Sequence, residues 1–217
     1  DSRVDVFPPP HAHRIVAAAW VDLKEGTNDF YCFDKAMVFC GWKTIDNEKQ
    51  ILKNFQAAQE KDSAQLASWN GRCFDLPVLS LRSLKHGIPA GWYYSDRDVR
   101  YRYAEAGHCD VMDVLSDFGA AKNMKLGDAC RLVGLPGKVG DVSGNKISEI
   151  YDSLDPTTHL VTANSLAEAQ RRVREYCLSD ALQTAYLFAM SRVHKGMISE
   201  DYFQTVVVPS FRVPLEG

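Results

Sequence analysis

The feature that most constrains this chain is a long helical pattern near the end of the sequence, over residues 165–192. Neither Gly nor Pro interrupts it, and Ser165 with Glu168 forms the pattern of a capping box at its start. Apolar residues recur at helical spacing and predict one face that points to the core. They are Val173, Tyr176, Cys177, Leu178, Ala181, Leu182, Ala185 and Phe188.

One charged residue, Asp180, lies within that apolar stripe. Tyr176 precedes it by four positions, so the phenol and the carboxylate share one helix face. A carboxylate on the core side is costly unless it is paired or holds a metal ion. Taken alone, Tyr176 is also well explained as a core residue with a hydrogen-bonded hydroxyl.

Length and charge limit the classes of function. The chain has 217 residues, which suits one large domain over residues 1–217 with a substantial core. Its net charge of −3 argues against a broad electrostatic clamp on duplex nucleic acid, although a local basic path remains compatible with it.

The cysteines and the hydropathy bear on location. The six cysteines form no C-x-x-C pair and have mostly apolar neighbours, which predicts buried thiols in a reducing compartment. We find no signal peptide pattern and no apolar run long enough to cross a membrane. These observations predict a cytoplasmic protein.

Strand and helix patterns alternate along the first half of the chain. Residues 15–21 and 35–42 predict an antiparallel pair of strands, and Asp46 is expected to cap the helix that follows. Residues 66–69 predict a short buried strand, and residues 76–86 a further helix. This order indicates an α/β domain.

A second informative stretch, residues 69–79, follows that short strand directly. A strand, a glycine turn and a helix would put Asn70 and Asp75 at the carboxyl end of a strand, where open α/β sheets bind ligands. Taken alone, Asp75 is better explained as a helix N-cap, because Pro77 falls in the first turn and Asp favours the cap position. Asn70 and Gly71 are also an ordinary turn pair.

Several motifs in order carry a family resemblance. Asn-Gly-x-x-Phe-Asp-x-Pro-x-Leu at 70–79 and Tyr-x-x-x-Asp at 176–180 resemble the second and third exonuclease motifs of the DEDDy branch of the DEDD superfamily. The stretches 108–115, 134–138 and 7–17 are similar to predicted 3′–5′ exonucleases related to the proofreading domain of family B DNA polymerases. The resemblance covers nearly the whole chain.

The resemblance implies a fold and a chemistry. The expected fold is a ribonuclease-H-like mixed β-sheet flanked by helices, and the expected reaction is metal-dependent removal of nucleotides from 3′ ends of single-stranded or frayed DNA. Asp75 and Asp180 would be metal ligands for Mg²⁺ or Mn²⁺ in a two-metal site. Tyr176 would position the attacking water, because a phenol with a pKa of about 10 is a poor base at neutral pH.

The resemblance also implies contacts with the nucleic acid. The expected substrate-binding residues are Asn70, Gly71, Phe74, His108 and Lys138. Each has a simpler explanation: Phe74 as a core residue at a helix start, His108 as a satisfied buried histidine, and Lys138 as a solvated loop lysine. The sequence identifies no protein partner.

The first motif of the family, Asp-x-Glu on a first strand, is absent from residues 1–217. Half of the expected metal carboxylates are therefore missing. We expect a strand that carries Asp-x-Glu to lie upstream of Asp1 and to pair next to the predicted strands at 15–21 and 66–69. The alternatives are a degenerate, non-catalytic nucleic-acid-binding module of the same fold and a structural subunit without a nucleic-acid role.

Two stretches between the motifs have open interpretations. Residues 91–103 interleave aromatic residues with arginines, which is typical of a platform for single-stranded nucleic acid but also fits an exposed hairpin. His108, Asp110 and Asp113 fit a ligand cluster, whereas Asp113 alone fits a cap for a helix over residues 114–119.

Overall fold

The structure of the protein is a computed structural model that describes residues 8–24, 28–40, 45–62, 64–94, 98–135, 146–147, 149–150 and 163–216. Lys138 and the proposed Gly-rich loop around it lie outside these residues. Within them, helices and strands alternate, so the α/β class predicted from the sequence is confirmed.

The described strands form two small sheets. β1 (Ala17–Leu23) and β2 (Phe33–Cys40) pair antiparallel, as predicted, whereas β3 (Leu66–Ser68) and β4 (His108–Asp110) pair in parallel. Both strands lie two residues closer to the turn of the hairpin than predicted. Backbone hydrogen bonds between Lys24 and both Tyr31 and Cys32 extend the pairing beyond β1.

Helices make up most of the rest of the described chain. α1 is Ile45–Asp62, α2 is Asp75–His86, α3 is Gly91–Tyr94, α4 is Val111–Leu115, α5 is Leu126–Leu132 and α6 is Ala163–His194. A final helical run consists of α7 (Glu200–Tyr202), a π-helical turn (Phe203–Val207) and α8 (Val208–Glu216). Ser199 caps this run, since its hydroxyl accepts a bond from the Tyr202 amide at 3.1 Å.

The long helix α6 is the element on which the others pack. It contacts β1, β2 and β3 as well as α4 and α5. Val173, Leu182 and Phe188 of the predicted apolar stripe are buried on it. The capping box is wrong, because α6 already begins at Ala163 and Ser165 lies inside the helix. Glu168 pairs with Arg171 on the exposed side.

Two buried apolar clusters lie on two sides of the C-terminal half of α6. On one side, helix residues pack with the final helical run and the first hairpin; this group includes Cys32, Ala185, Tyr186, Ala189, Phe203 and Phe211. On the other side, they pack with β4, α4 and α5; this group includes Cys109, Val111, Cys130, Leu187 and Phe188. The helix is thereby held against both sheets.

The single mixed sheet expected from the resemblance is not formed by the described strands. Each described sheet has two strands, and within the described residues β1 and β3 each pair along one edge only. The ribonuclease-H-like arrangement stays a prediction. The helices of the described residues include none with the length and apolarity needed to span a membrane.

Candidate functional site

A tight loop joins β3 to α2 and sets the position of Asp75. A β-carbon on Gly71 would lie 2.2 Å from the Ser68 hydroxyl oxygen and 3.4 Å from Asp75 Oδ2. Only glycine allows so close an approach. Asn70 has a φ of 60°, a left-handed conformation that asparagine tolerates better than most residues. The Asn-Gly pair therefore draws Asp75 against the end of β3.

Asp110, at the end of β4, holds this loop in place. Its carboxylate oxygens accept hydrogen bonds from the amides of Asn70 at 2.9 Å and Arg72 at 3.0 Å. Burial raises the pKa of Asp110, while these two bonds oppose the rise. Because both carboxylate oxygens already accept bonds from the loop, Asp110 acts here as a support for it.

Asp113 pairs with two arginines. Arg102 Nη2 lies 2.7 Å from Asp113 Oδ1, and Arg72 Nε lies 3.4 Å from Asp113 Oδ2. The prediction that Asp113 caps a helix over residues 114–119 is wrong, since it lies inside α4. The residues Arg72 and Arg102 had no local sequence signal for this role, because the pairing joins separate segments of the chain.

Asp75 is the first residue of α2, and Phe74 occupies the N-cap position, so the cap explanation for Asp75 does not hold. Asp75 keeps an exposed surface, yet dense surrounding protein desolvates its carboxylate and raises its pKa to about 6. Repulsion from Asp110 and Asp180 adds to the rise in pKa.

Tyr176 and Asp180 face this carboxylate from α6. Both are half-buried, and the Tyr176 hydroxyl bonds to the Asp180 carboxylate. Burial and the charge of Asp180 raise the pKa of Tyr176. The pKa of the Cys177 thiol is raised to about 12. Burial is the largest cause, and the charges of Asp180 and, more weakly, Asp75 add to it. Asp75, Tyr176 and Asp180 thus form one electrostatic cluster.

The donor set for a metal ion at this cluster is small. Within the described ranges, the structure contains no group of three or more His, Cys, Asp or Glu residues arranged to hold a metal ion. Asp75 and Asp180 supply hard oxygen donors, the type that Mg²⁺ and Mn²⁺ prefer. Two carboxylates fit part of a two-metal site and leave the rest of it to other ligands.

The predicted substrate-binding residues are divided by the structure. Asn70, Gly71 and Phe74 lie in the loop before Asp75, and Phe74 is half-buried with its ring edge-on to His13 at 4.9 Å. His108 is fully buried, and its Nε2 lies 2.7 Å from the Ser68 hydroxyl.

The structure places His108 inside the fold, and its contact with the substrate stays a prediction. Burial, and secondarily Arg72, lower the pKa of His108 to about 3, so the imidazole is neutral. The contact of His108 with Ser68 joins the two strands, since Ser68 ends β3 and His108 begins β4. These strands support the loop over residues 69–74, which we call the site loop.

Comparison with known proteins gives one match. No curated protein and no solved structure matches the chain significantly. The family described as predicted 3′–5′ exonucleases related to the exonuclease domain of PolB matches residues 5–210. That match spans nearly all of the 217 residues and both halves of the Asp75–Asp180 cluster. The chain therefore belongs to the family of predicted 3′–5′ exonucleases related to the exonuclease domain of PolB.

Proposed function

We propose that this protein is a metal-dependent exonuclease that hydrolyses phosphodiester bonds at the 3′ ends of single-stranded or frayed DNA. Its family suggests a 3′–5′ exonuclease-like domain with a nucleic acid substrate. One observation carries the proposal: Asp75 and Asp180, from elements far apart in the sequence, approach closely enough to repel each other, and the Tyr176 hydroxyl bonds to Asp180.

Asp75 and Asp180 are the proposed ligands for Mg²⁺ or Mn²⁺. Desolvation raises the pKa of Asp75, and repulsion from Asp110 and Asp180 adds to the rise. A bound divalent cation would relieve that repulsion. When bound, such an ion neutralises the charge that develops on the phosphate and activates a water molecule. No Lys, Arg or His among the described residues pairs with Asp75, so its carboxylate is available.

The side chains around these acids have proposed roles in orientation. Tyr176 stays protonated at neutral pH, because burial and Asp180 raise its pKa above the usual value of about 10. Its hydroxyl would orient the attacking water and would not remove the proton from it. Asn70, Gly71 and Phe74 would contact the terminal nucleotide, and the loop that holds them is fixed by Asp110.

A two-metal site requires more carboxylates, which an Asp-x-Glu strand would supply. The arrangement of the described strands favours a position for it between β1 and β3. These strands belong to separate sheets but pack on the same helix, α6. Among the described strands, β1 pairs with β2 alone, so its other edge has room for a further strand. A strand inserted there would join the two sheets into one mixed sheet.

The alternative function is non-catalytic binding of nucleic acid by the same fold. The observation that favours it is the small donor set, because the described residues contain no group of three or more His, Cys, Asp or Glu arranged to hold a metal ion. Such a protein would bind oligonucleotides equally well with and without divalent ions and would not shorten them.

The decisive experiment measures degradation of oligonucleotides labelled at either end. A polypeptide that includes an Asp-x-Glu strand should release labelled mononucleotide from a 3′-labelled single strand with Mg²⁺ or Mn²⁺, and should not do so with EDTA. Asp180→Asn should lower the rate by at least about 10²-fold, since it removes a charge that holds the metal. Asp128→Asn, at an exposed site on α5, is the matched control.

Three outcomes would overturn the proposal or its parts. A near wild-type rate for Asp180→Asn would remove the metal role of that residue. Strong metal-dependent cleavage by residues 1–217 alone would show that no added strand is needed, whereas we expect weak cleavage from them. Release of mononucleotides from the 5′ end would contradict the assigned polarity.

A further inference from the structure

Three tyrosines close to one another in sequence are largely exposed. Tyr94, Tyr101 and Tyr103 expose 61%, 59% and 64% of their surface. The rings of Tyr101 and Tyr103 meet edge-on at 6.2 Å, and Tyr103 lies 5.2 Å from the ring of Phe118. Ring contacts thus join Tyr101, Tyr103 and Phe118, whereas Tyr94 is near them in sequence and has Arg100 over its ring. Contiguous exposed apolar surface marks a binding site more often than scattered residues do. We call Tyr94, Tyr101, Tyr103 and Phe118 the aromatic patch.

The backbone under one edge of the aromatic patch is strained. Asp117 and Phe118 have φ values of 50° and 53°, a left-handed conformation that is unfavourable for a bulky aromatic residue. Such strain persists only where surrounding structure maintains it, and it concentrates at functional sites. Here it brings the Phe118 ring beside Tyr103.

The charges near the aromatic patch nearly cancel. Arg100 lies over the Tyr94 ring, with its guanidinium carbon 4.9 Å from the ring centroid. Arg102 is engaged by Asp113 at 2.7 Å, and Asp98 is exposed nearby. The patch therefore offers flat π faces and one guanidinium plane in place of a strong positive field. Flat faces of this kind stack on nucleic acid bases.

The aromatic patch is continuous with the candidate site. Arg72, in the loop that leads to Asp75, donates from Nη1 to the carbonyl of Val99 at 3.4 Å. Asp113 contacts both Arg72 and Arg102, so it joins the site loop to the segment that carries the tyrosines. The segment that carries Tyr101 and Tyr103 therefore adjoins the loop that carries Arg72.

We propose that the aromatic patch binds the bases of the single-stranded nucleic acid whose 3′ end lies at Asp75 and Asp180. This inference rests on the proposed exonuclease function and assigns the surface that holds the strand beyond its 3′ end. Bases expose their faces for stacking only when they are unpaired, so the patch favours single strands over duplex. Stacking tolerates every base, which suits an enzyme that removes nucleotides in succession.

The first test measures binding without catalysis. In EDTA, the triple variant Tyr94→Ala, Tyr101→Ala, Tyr103→Ala should bind a fluorescein-labelled twelve-nucleotide thymidine strand at least about tenfold more weakly than wild type. Phe30→Ala and Leu132→Ala remove exposed apolar groups elsewhere and should leave binding unchanged. Tyr101→Trp, which keeps a stacking face, should bind at least as tightly as wild type.

The salt dependence of binding provides a second readout. Arg100→Ala should reduce the slope of log affinity against log salt by about 0.7, the value for one contact to a single strand. Arg131→Ala, at an exposed arginine on α5, is its matched control and should leave the slope unchanged.

A small substrate separates this inference from the proposed function. The p-nitrophenyl ester of thymidine monophosphate has one phosphodiester and no neighbouring bases. In a cleavage-competent polypeptide, the triple variant should hydrolyse it at the wild-type rate while its KM for the long strand rises about tenfold or more. Failure of wild type to hydrolyse the ester would defeat the exonuclease proposal, and the patch would still be judged by binding in EDTA.

The patch assignment fails if the triple variant, with an unchanged unfolding midpoint, binds the long strand within about twofold of wild type. It also fails if wild type binds duplex as tightly as single strands.

Discussion

Two carboxylates in this protein, Glu48 and Asp75, have opposite electrostatic environments. Glu48 is only 1% exposed. Burial would raise its pKa, but bonds from Arg82, the Ile15 amide and His86 lower it to about 2. Asp75 retains exposed surface, and yet its pKa is raised to about 6 by desolvation and by neighbouring acids. Partners, and not exposure alone, decide the charge state of each group.

The opposite pKa shifts of Glu48 and Asp75 indicate different roles for the two acids. The Glu48 oxygens accept bonds from Arg82 at 2.7 and 2.5 Å and from the Ile15 amide at 2.9 Å, and His86 lies 2.7 Å away. This network joins α1, α2 and the segment before β1, so it supports the fold. Asp75 instead raises the free energy of the folded state in its ionised form, which is typical of a group kept for binding or catalysis.

The largest expected effect is the loss of stability when Glu48, the acid that supports the fold, is replaced. Glu48→Ala should lower the free energy of unfolding by about 3–5 kcal/mol, because it leaves Arg82 buried without its counter-charge. Urea unfolding measures this loss. Glu60→Ala, at an exposed position of the same helix, should change stability by less than about 0.5 kcal/mol. Equal losses in the two variants would contradict the structural role of Glu48.

The pH dependence of the stability that Glu48 contributes follows from its lowered pKa. The unfolded chain binds a proton at Glu48 near pH 4, whereas the folded chain does so only near pH 2. The network therefore contributes about 3 kcal/mol above pH 4.5, and this contribution is lost as the pH falls toward 2. The pH titration of stability should become flatter in this window for Glu48→Gln.

A smaller effect is expected at the cluster of Asp75, Tyr176 and Asp180, on the rate of cleavage and not on stability. Tyr176→Phe removes the hydroxyl that bonds to Asp180 and should lower the cleavage rate about tenfold, a size typical of one hydrogen bond to a charged group. Tyr186→Phe, at a buried tyrosine of the same helix, is the control and should leave the rate unchanged. Loss of stability without loss of rate would return Tyr176 to a packing role.

The smallest expected effect has the opposite sign to that of Glu48. Asp75→Asn should raise the free energy of unfolding at pH 8, in the absence of divalent ions, by about 1 kcal/mol after allowance for solvent screening at this exposed residue. The folded state binds more protons than the unfolded state between about pH 4 and pH 6, so wild-type stability falls as pH rises through that window. Asp128→Asn should show no such gain.

Magnesium provides the corresponding check. Mg²⁺ should stabilise the wild type against thermal unfolding and should not stabilise Asp75→Asn, because the variant lacks a ligand charge. Since a metal ligand must be ionised, Mg²⁺ binding and cleavage should also weaken as pH falls below about 6. A destabilised Asp75→Asn variant would place Asp75 with Glu48 as a structural acid.

Local patterns were sufficient for much of the fold. The first hairpin, the helix that ends at Gly87 and the long helix that carries Tyr176 and Asp180 were predicted from periodicity and turn residues. Gly87 has a φ of 64°, the conformation that its position after a helix predicts. Boundaries were less accurate, as at Ser165, because helix length also depends on packing outside the local pattern.

What the sequence by itself determined is the family to which the chain belongs, together with a prediction of the residues that carry the chemistry. Asp180 stood out as a lone charge in an apolar stripe, and the motifs around Asp75 and Tyr176 identified the family that matches residues 5–210. These signals are local, since a motif or a periodic face lies within one element. The roles of Asp75 and Asp180 as metal ligands remain predictions.

Only the tertiary structure decided which contacts and charge states chemically similar side chains have. Asp110 supports the site loop, Asp113 pairs with Arg72 and Arg102, and His108 is buried and neutral. The pairing of Glu48 with Arg82 was likewise absent from any local pattern. The physical reason is that a charge state depends on groups brought close by folding from distant parts of the chain, and neither spacing nor composition records those distances.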